Sequence, residues 1–154
     1  MYDLFHDFPE WALKLAPLAE FLLRVYVGLA LVPHGLRAFF GFFAGTINVQ
    51  SGMGNMARRL DEWGWKPGAL WAPLIAFVQL VCGPLLALGF YTELVAVPIF
   101  IFLVVANFER WKVGRYFWNT LGLEYTVMWT LGAFYFMTHG AGAWSLDHLL
   151  RAHG

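Results

Sequence analysis

The feature that most constrains this chain is a series of four apolar stretches, each close to the length that crosses a lipid bilayer. They cover about residues 17–40, 70–90, 92–108 and 123–139. A transmembrane helix needs about 20 mostly apolar residues to cross a hydrocarbon core of roughly 30 Å. We therefore expect an all-α integral membrane protein, a four-helix transmembrane bundle with short interfacial helices, folded as one domain over residues 1–154.

Composition and patterning exclude the main alternatives. The chain is 60% hydrophobic and 13% charged, against about 45–50% and about 25% in soluble domains. Residues 95–105 have the side chains of a buried strand, but lipid requires every backbone group to be satisfied within its own segment, which favours a helix. The alternation of a transmembrane barrel is absent. With zero net charge and no basic run, nothing indicates nucleic-acid binding.

Two further segments have helical spacing but lack the length to cross the membrane. We expect residues 1–16 and the loop 44–69 to form interfacial helices, the second with an apolar stripe of Met56, Leu60 and Trp63. The acidic start of the chain does not match a cleavable signal peptide. Basic loop residues favour the cytoplasmic side, so we expect both termini outside; the basic residues of the loops after the first and third spans are Arg58, Arg59, Lys66, Arg110, Lys112 and Arg115.

Ionisable residues inside a span are expensive in lipid and are therefore candidates for function. One group lies towards the end of the bundle that carries the termini: Glu20, Arg24, Glu93, His139 and Asp147. Glu20 and Arg24 are four residues apart with the acid first, the favourable order for a pair on one helix face. Either the two neutralise each other and fix the bundle, or Arg24 binds an anionic or carbonyl-bearing ligand.

A second polar group lies towards the opposite end of the spans: His34, Arg37, Asn107, Asn119, Glu124 and Tyr125. A histidine beside a carboxylate can exchange a proton near neutral pH, so His34 and Glu124 are the candidate catalytic residues. The candidate ligand-binding residues are Arg24, Arg37, Gln79, Asn107 and Tyr125. The alternative is that Arg37 reaches the lipid headgroups, while His34 and Glu124 bond to backbone or water.

Metal and haem sites are not expected. Axial haem ligands must lie at similar depth, whereas His34 and His139 are predicted at opposite ends of the bundle, roughly a bilayer apart. No metal-ligand spacing such as HExxH is present. The single cysteine, Cys82, cannot form an internal disulfide or a CxxC pair, and we expect it to be a small buried apolar residue.

Short motifs follow one another in a defined order from about residue 20 to residue 150. They are Arg24-Val-Tyr-Val-Gly28, Pro33-His34-Gly35, Phe40-Gly41, residues 85–92, Gly122-Leu-Glu124-Tyr125, Gly140-Ala-Gly142 and Ser145-Leu146-Asp147. The ordered set resembles the DoxX family of small bacterial and archaeal four-helix membrane proteins. Gln79, Glu93 and Ala38 depart from the family pattern, which often has a glutamate, a basic residue and a lysine there. Roles tied to that glutamate or lysine are therefore not carried over.

The resemblance implies a location in the bacterial inner membrane and a link to quinones. Some relatives are membrane subunits of thiosulfate:quinone oxidoreductase, and others are associated with redox-stress complexes. We therefore expect an accessory membrane subunit that binds quinone, with His34 and Glu124 handling protons and Arg24 or Asn107 bonding a ring carbonyl. A redox partner protein must bring electrons, and oligomers are compatible with this role. The alternatives are a non-enzymatic scaffold or anchor, and a binder of a small hydrophobic molecule or lipid.

Overall fold

The computed structural model describes residues 13–43, 51–120 and 122–153, and within these ranges the ordered elements are helical and no strand occurs. Two π-helical segments, Leu36–Phe40 and Val78–Cys82, and one 3₁₀ turn, Trp118–Thr120, accompany the α-helices. The α-helices are α1 (Ala16–Gly35), α2 (Met53–Glu62), α3 (Gly68–Phe77), α4 (Gly83–Leu88), α5 (Thr92–Val113), α6 (Glu124–His139) and α7 (Leu146–His153). The all-α class is confirmed.

Three helical stretches are long and apolar enough to cross a membrane: Ala16–Phe40 with 25 residues, Gly68–Leu88 with 21 and Thr92–Val113 with 22. They coincide with the first three predicted spans. The fourth predicted span forms α6, which has 16 residues and is therefore about 24 Å long at 1.5 Å per residue. This is shorter than the roughly 30 Å of hydrocarbon, so a count of four crossings stays a prediction.

The two ends of the bundle are distinct, and we name them by what they carry. The loop end contains residues 41–43, 51–67, 114–120 and 122–123, the described parts of the connections between the long helices. The tail end contains the start of α1, the turn at residues 89–91 and residues 140–153. The interfacial helix predicted for residues 1–16 falls mostly outside the described residues. The helix predicted within residues 44–69 is present as α2.

The α1 and α4 helices touch backbone to backbone at one crossing. A Cβ atom added to Gly28 would lie 2.5 Å from the carbonyl oxygen of Gly83 and 2.6 Å from the backbone nitrogen of Ala87. Small residues allow this approach, which is a common basis of helix association in lipid. The α5 helix also packs along α6, and α1 contacts α6.

The distribution of apolar side chains fits lipid as the solvent. The interior contains Leu31, Leu86, Ile99 and Phe136, each at most 1% exposed. Large apolar side chains also face outward all along the spans; examples are Leu22, Leu29, Ile101 and Leu131, which are 49–61% exposed. A soluble protein rarely shows so large a contiguous apolar surface. Trp129 packs inside the bundle and is 6% exposed.

Candidate functional site

Arg24 is buried in α1 near the tail end, with 1% of its surface exposed. Its Nε donates to the carbonyl oxygen of Ala87 at 3.4 Å, and its two terminal nitrogens donate to the carbonyls of Ala141 and Trp144. A Cβ on Gly89 would lie 2.9 Å from the Arg24 guanidinium carbon, so a side chain there would disturb these bonds. Arg24 therefore connects the end of α4 to the loop that precedes α7.

Glu20 and Arg24 share one face of α1 but bond to different partners. Glu20 Oε1 accepts a hydrogen bond of 2.8 Å from the Tyr135 hydroxyl of α6. Glu20 lies close enough to act on Arg24 through its charge, yet within the described ranges the two form no ion pair. This geometry favours the interpretation that both residues fix the bundle.

Asp147 joins α7 to α5 at the tail end. Its carboxylate accepts hydrogen bonds from the backbone N–H groups of Tyr91 at 2.8 Å and Thr92 at 2.9 Å, and so caps the start of α5. Burial opposes ionisation of this carboxyl, but the bonds from Thr92 and Tyr91 and the charge of Arg151 outweigh burial and hold the pKa of Asp147 below its usual value. Asp147 is therefore ionised at neutral pH, and its stabilising effect is lost as the pH falls through that lowered pKa. Ser145 caps the start of α7, because its Oγ accepts from the N–H of His148 at 3.1 Å.

Towards the loop end, four helical segments carry polar side chains at a similar depth of the bundle. The His34 ring lies with its centroid 5.2 Å from that of Trp129. The Asn107 amide donates to the Thr130 hydroxyl at 2.7 Å. A Cβ on Gly35, the residue after His34, would lie 3.1 Å from the Cβ of Gln79. These contacts define the polar layer, which consists of His34, Gln79, Asn107, Trp129 and Thr130.

Three polar atoms of this layer are buried without a hydrogen bond of normal geometry among the described residues: Oε1 of Gln79, Oδ1 of Asn107 and Nε1 of Trp129, although Trp129 also acts on the neighbouring Tyr125 hydroxyl. A buried polar group without a partner costs about 1–3 kcal/mol, and such groups are rare in native proteins. The layer therefore offers one N–H donor and two carbonyl acceptors to a group that can enter it.

The backbone is irregular where the polar layer forms. The segment Val78–Cys82, which carries Gln79, is π-helical, and the N–H of Gly83 donates to the carbonyl of Val78, five residues earlier. The segment Leu36–Phe40, directly after His34, is also π-helical. Single π turns inside longer helices are frequent at functional sites. The π-helical segment Val78–Cys82 ends two residues before Pro84, in the first turn of α4.

A shallow groove of about 270 Å³ opens beside the layer and is lined by Pro33, His34, Arg37 and Phe43. A terminal nitrogen of Arg37 lies 3.3 Å from Nδ1 of His34. Because Arg37 can only donate, Nδ1 of His34 acts as the acceptor in this contact. The imidazole thus lies between the groove and the polar layer.

The remaining predicted residues lie at or near the loop end. Glu124 begins α6 five residues before Trp129, which places it roughly 7.5 Å along the helix axis towards the loop end. The Tyr125 hydroxyl bonds to the Tyr26 hydroxyl at 2.6 Å, on the exposed face of the bundle. Asn119 lies in the exposed 3₁₀ turn. Within the described ranges, no three His, Cys, Asp or Glu side chains are grouped to hold a metal ion.

Sequence reasoning missed Trp129 and Thr130 as members of the polar layer. The surroundings of the Trp129 N–H depend on which helix faces it, and the sequence does not give that. Thr130 donates to the carbonyl of Thr126 within its own helix at 2.7 Å, a bond typical of threonine in any transmembrane helix. The sequence places Trp129 and Thr130 at about the depth of Asn107 and His34, and this position could have indicated that they belong to the layer.

The helices, their outward apolar faces and the internal polar layer together define a multi-pass helical membrane protein. The family model of DoxX matches residues 9–109, and the chain belongs to the DoxX family. It is 28% identical over 155 residues to the uncharacterized membrane protein Rv3486 of Mycobacterium tuberculosis, an alignment that covers 92% of this chain and 89% of that protein. No solved structure matches the chain. The resemblance noted in the sequence is confirmed.

Proposed function

We propose that this DoxX protein is the membrane-embedded subunit of a quinone-linked oxidoreductase or redox-associated membrane complex, and that its polar layer binds the quinone headgroup. The observation that carries the proposal is the set of three buried atoms without a hydrogen bond of normal geometry, on Gln79, Asn107 and Trp129. Burial of polar groups in a span is expensive, which makes these three residues candidates for a functional site.

The residues of the polar layer fit both forms of a quinone. The Trp129 N–H can donate to a ring carbonyl of the oxidised form. The amide oxygens of Gln79 and Asn107 can accept from the hydroxyl groups of the reduced form. The isoprenoid tail of such a molecule is apolar and matches the outward faces of the spans in lipid. When bound, the quinone supplies the two-electron carrier chemistry that the side chains of the chain lack.

His34 is the proton-carrying residue of this proposal. Its ring contacts Trp129 on the side of the polar layer, and its Nδ1 faces Arg37 at the groove. A proton can therefore pass between the groove and the layer by way of this imidazole, with Glu124 nearer the loop end as a further acceptor. Arg24 lies ten residues earlier in α1, about 15 Å away along the axis, so Asn107 rather than Arg24 is the proposed partner of the headgroup.

Electrons must come from a partner protein in this proposal. The loop end is the side closest to the polar layer, and it presents α2 and the connection after α5. We place the redox partner on this side, in the cytoplasm, with both termini outside the inner membrane. The support is the concentration of Lys and Arg in these loops, which favours the cytoplasmic side.

The first test is quinone binding by the full chain in lipid nanodiscs, titrated with the short-chain analogue decylubiquinone. We expect Trp129→Phe and Asn107→Ala each to weaken binding about fivefold, the effect of one hydrogen bond of about 1 kcal/mol. Trp129→Phe keeps an aromatic ring and removes an N–H that makes no hydrogen bond of normal geometry, so thermal stability without quinone should be nearly unchanged. Trp111→Phe and Asn119→Ala make the same chemical changes at exposed positions and should leave binding unchanged.

Two outcomes would contradict this proposal. If all four variants bind decylubiquinone with equal affinity, the polar layer is not the quinone site. The second outcome is that gentle purification from native membranes recovers partner proteins without a redox centre and yields no extractable quinone. That result would favour the scaffold alternative, whereas tightly held lipid in place of quinone would favour a lipid binder.

A further inference from the structure

Three guanidinium groups converge at the loop end from three separate elements. Arg37 belongs to the π-helical end of the first span, Arg59 to α2 and Arg110 to the last turns of α5. Two contacts hold these elements together. Leu60, next to Arg59, is buried in one cluster with Phe39, and the Trp65 indole N–H donates to Oε1 of Glu109 at 2.9 Å.

Two carboxylates on these elements, those of Glu109 and Asp61, are bonded to other groups. Glu109 is bonded to Lys112 at 2.7 Å as well as to Trp65, and Oδ1 of Asp61 accepts from the backbone N–H of Gly68 at 2.7 Å. Within the described ranges, neither Arg37 nor Arg59 forms an ion pair. Arg37 contacts His34, and Arg59 lies over the Trp63 ring at 5.0 Å. The positive charges of Arg37 and Arg59 also act on Arg110.

Apolar surface adjoins this positive region at the same depth. Phe40, Phe42 and Phe43 are 65%, 57% and 55% exposed, and Phe43 and Arg37 line the same groove. The region lies where the first and third spans end, which is the level of the lipid headgroups. A ligand that matches both surfaces carries a negative group joined to an apolar chain.

We propose that the groove and the guanidiniums of Arg37, Arg59 and Arg110 form a binding site for the phosphate of an anionic phospholipid, whose acyl chains lie along the exposed phenylalanines. Basic pockets beside membrane helices bind anionic headgroups in this way. A soluble phosphate would satisfy the charges but leave the phenylalanines uncovered. The groove adjoins the polar layer at His34, but none of the lipid contacts proposed here involves quinone, so this proposal stands whether or not quinone binds.

The test is native mass spectrometry of the delipidated full chain, titrated with phosphatidylglycerol and with neutral phosphatidylcholine. We expect the first phosphatidylglycerol to bind at least tenfold more tightly than phosphatidylcholine. Arg37→Gln and Arg59→Gln should each lower that affinity about fivefold, the effect of about 1 kcal/mol per basic residue. Phosphatidylcholine binding should not change.

Arg58→Gln is the matched control, because Arg58 is the exposed neighbour of Arg59 on α2 and loses the same charge. It should keep phosphatidylglycerol affinity within twofold of the original chain. An equal loss in Arg58→Gln and Arg59→Gln would mean diffuse attraction and overturn the site. Displacement of the lipid by inorganic phosphate at a hundredfold excess would also overturn it, because the acyl contacts would then contribute nothing. If Arg37→Gln fails to fold, Arg59→Gln alone decides.

Discussion

Replacement of Arg24 by methionine is expected to lower the free energy of unfolding by about 3 kcal/mol. The substitution removes hydrogen bonds to the carbonyls of Ala87, Ala141 and Trp144, at about 1 kcal/mol for each lost bond. Methionine fills a similar volume, so the loss reflects the bonds rather than a cavity. Arg24→Lys should recover less than half, because one ammonium cannot reach carbonyls on two segments as the planar guanidinium does.

Reversible unfolding of the full chain in mixed detergent micelles, followed by circular dichroism, measures this effect. Arg151→Met is the control, because Arg151 is 77% exposed and lies 3.9 Å from Glu93, and an exposed pair of this kind contributes little. It should change stability by less than about 0.5 kcal/mol. If Arg24→Met has the same free energy of unfolding as the original chain, Arg24 does not stabilise the tail end. That result would favour the alternative that Arg24 binds a ligand.

The second large effect is expected at the crossing of α1 and α4. Gly28→Ala places a methyl group 2.5 Å from the Gly83 carbonyl oxygen and 2.6 Å from the Ala87 nitrogen. Both are backbone atoms that cannot rotate away, so the two helices must separate. We expect a loss of about 2 kcal/mol, within the range for an overpacked interior, in the same unfolding assay.

Gly54→Ala supplies the control for this prediction. Gly54 is also helical, in α2, but a Cβ there meets no atom within 4 Å. Alanine is the better helix former by about 1 kcal/mol, so Gly54→Ala should leave stability unchanged or raise it. The two glycine substitutions therefore have opposite expected signs. A stabilising Gly28→Ala would show that the helices are not in backbone contact at this point.

The spans could be predicted because hydropathy responds to the length of hydrocarbon that a helix must cross. The first was predicted at 17–40 and is found at Ala16–Phe40. The third was predicted to end at residue 108, but α5 continues to Val113. Hydropathy detects where the apolar stretch ends, whereas the helix extends into its polar last turn. Glu109 there bonds to Lys112 one turn later, and Trp65 also donates to it.

The depth of the polar residues could be predicted, but their partners could not. Position along a span gives depth directly, so His34 and Asn107 were expected near the same end. Arg24 bonds to the loop before α7, and that contact depends on how the chain folds back after α6. The acceptors of Gln79 and Asn107 and the donor of Trp129 face the same layer only because α1, α5, α6 and the π-helical segment adopt particular rotations. Periodicity does not determine those rotations.

Photolabelling with a quinone analogue that carries an azido group on its ring tests the central claim most directly. The full chain is labelled in nanodiscs, and the modified residues are identified by mass spectrometry. Our account predicts label on the segments around His34, Gln79, Asn107 and Trp129, with loss of that label when excess decylubiquinone competes. Label confined to the tail end around Arg24, or label in the polar layer that decylubiquinone does not displace, would contradict it.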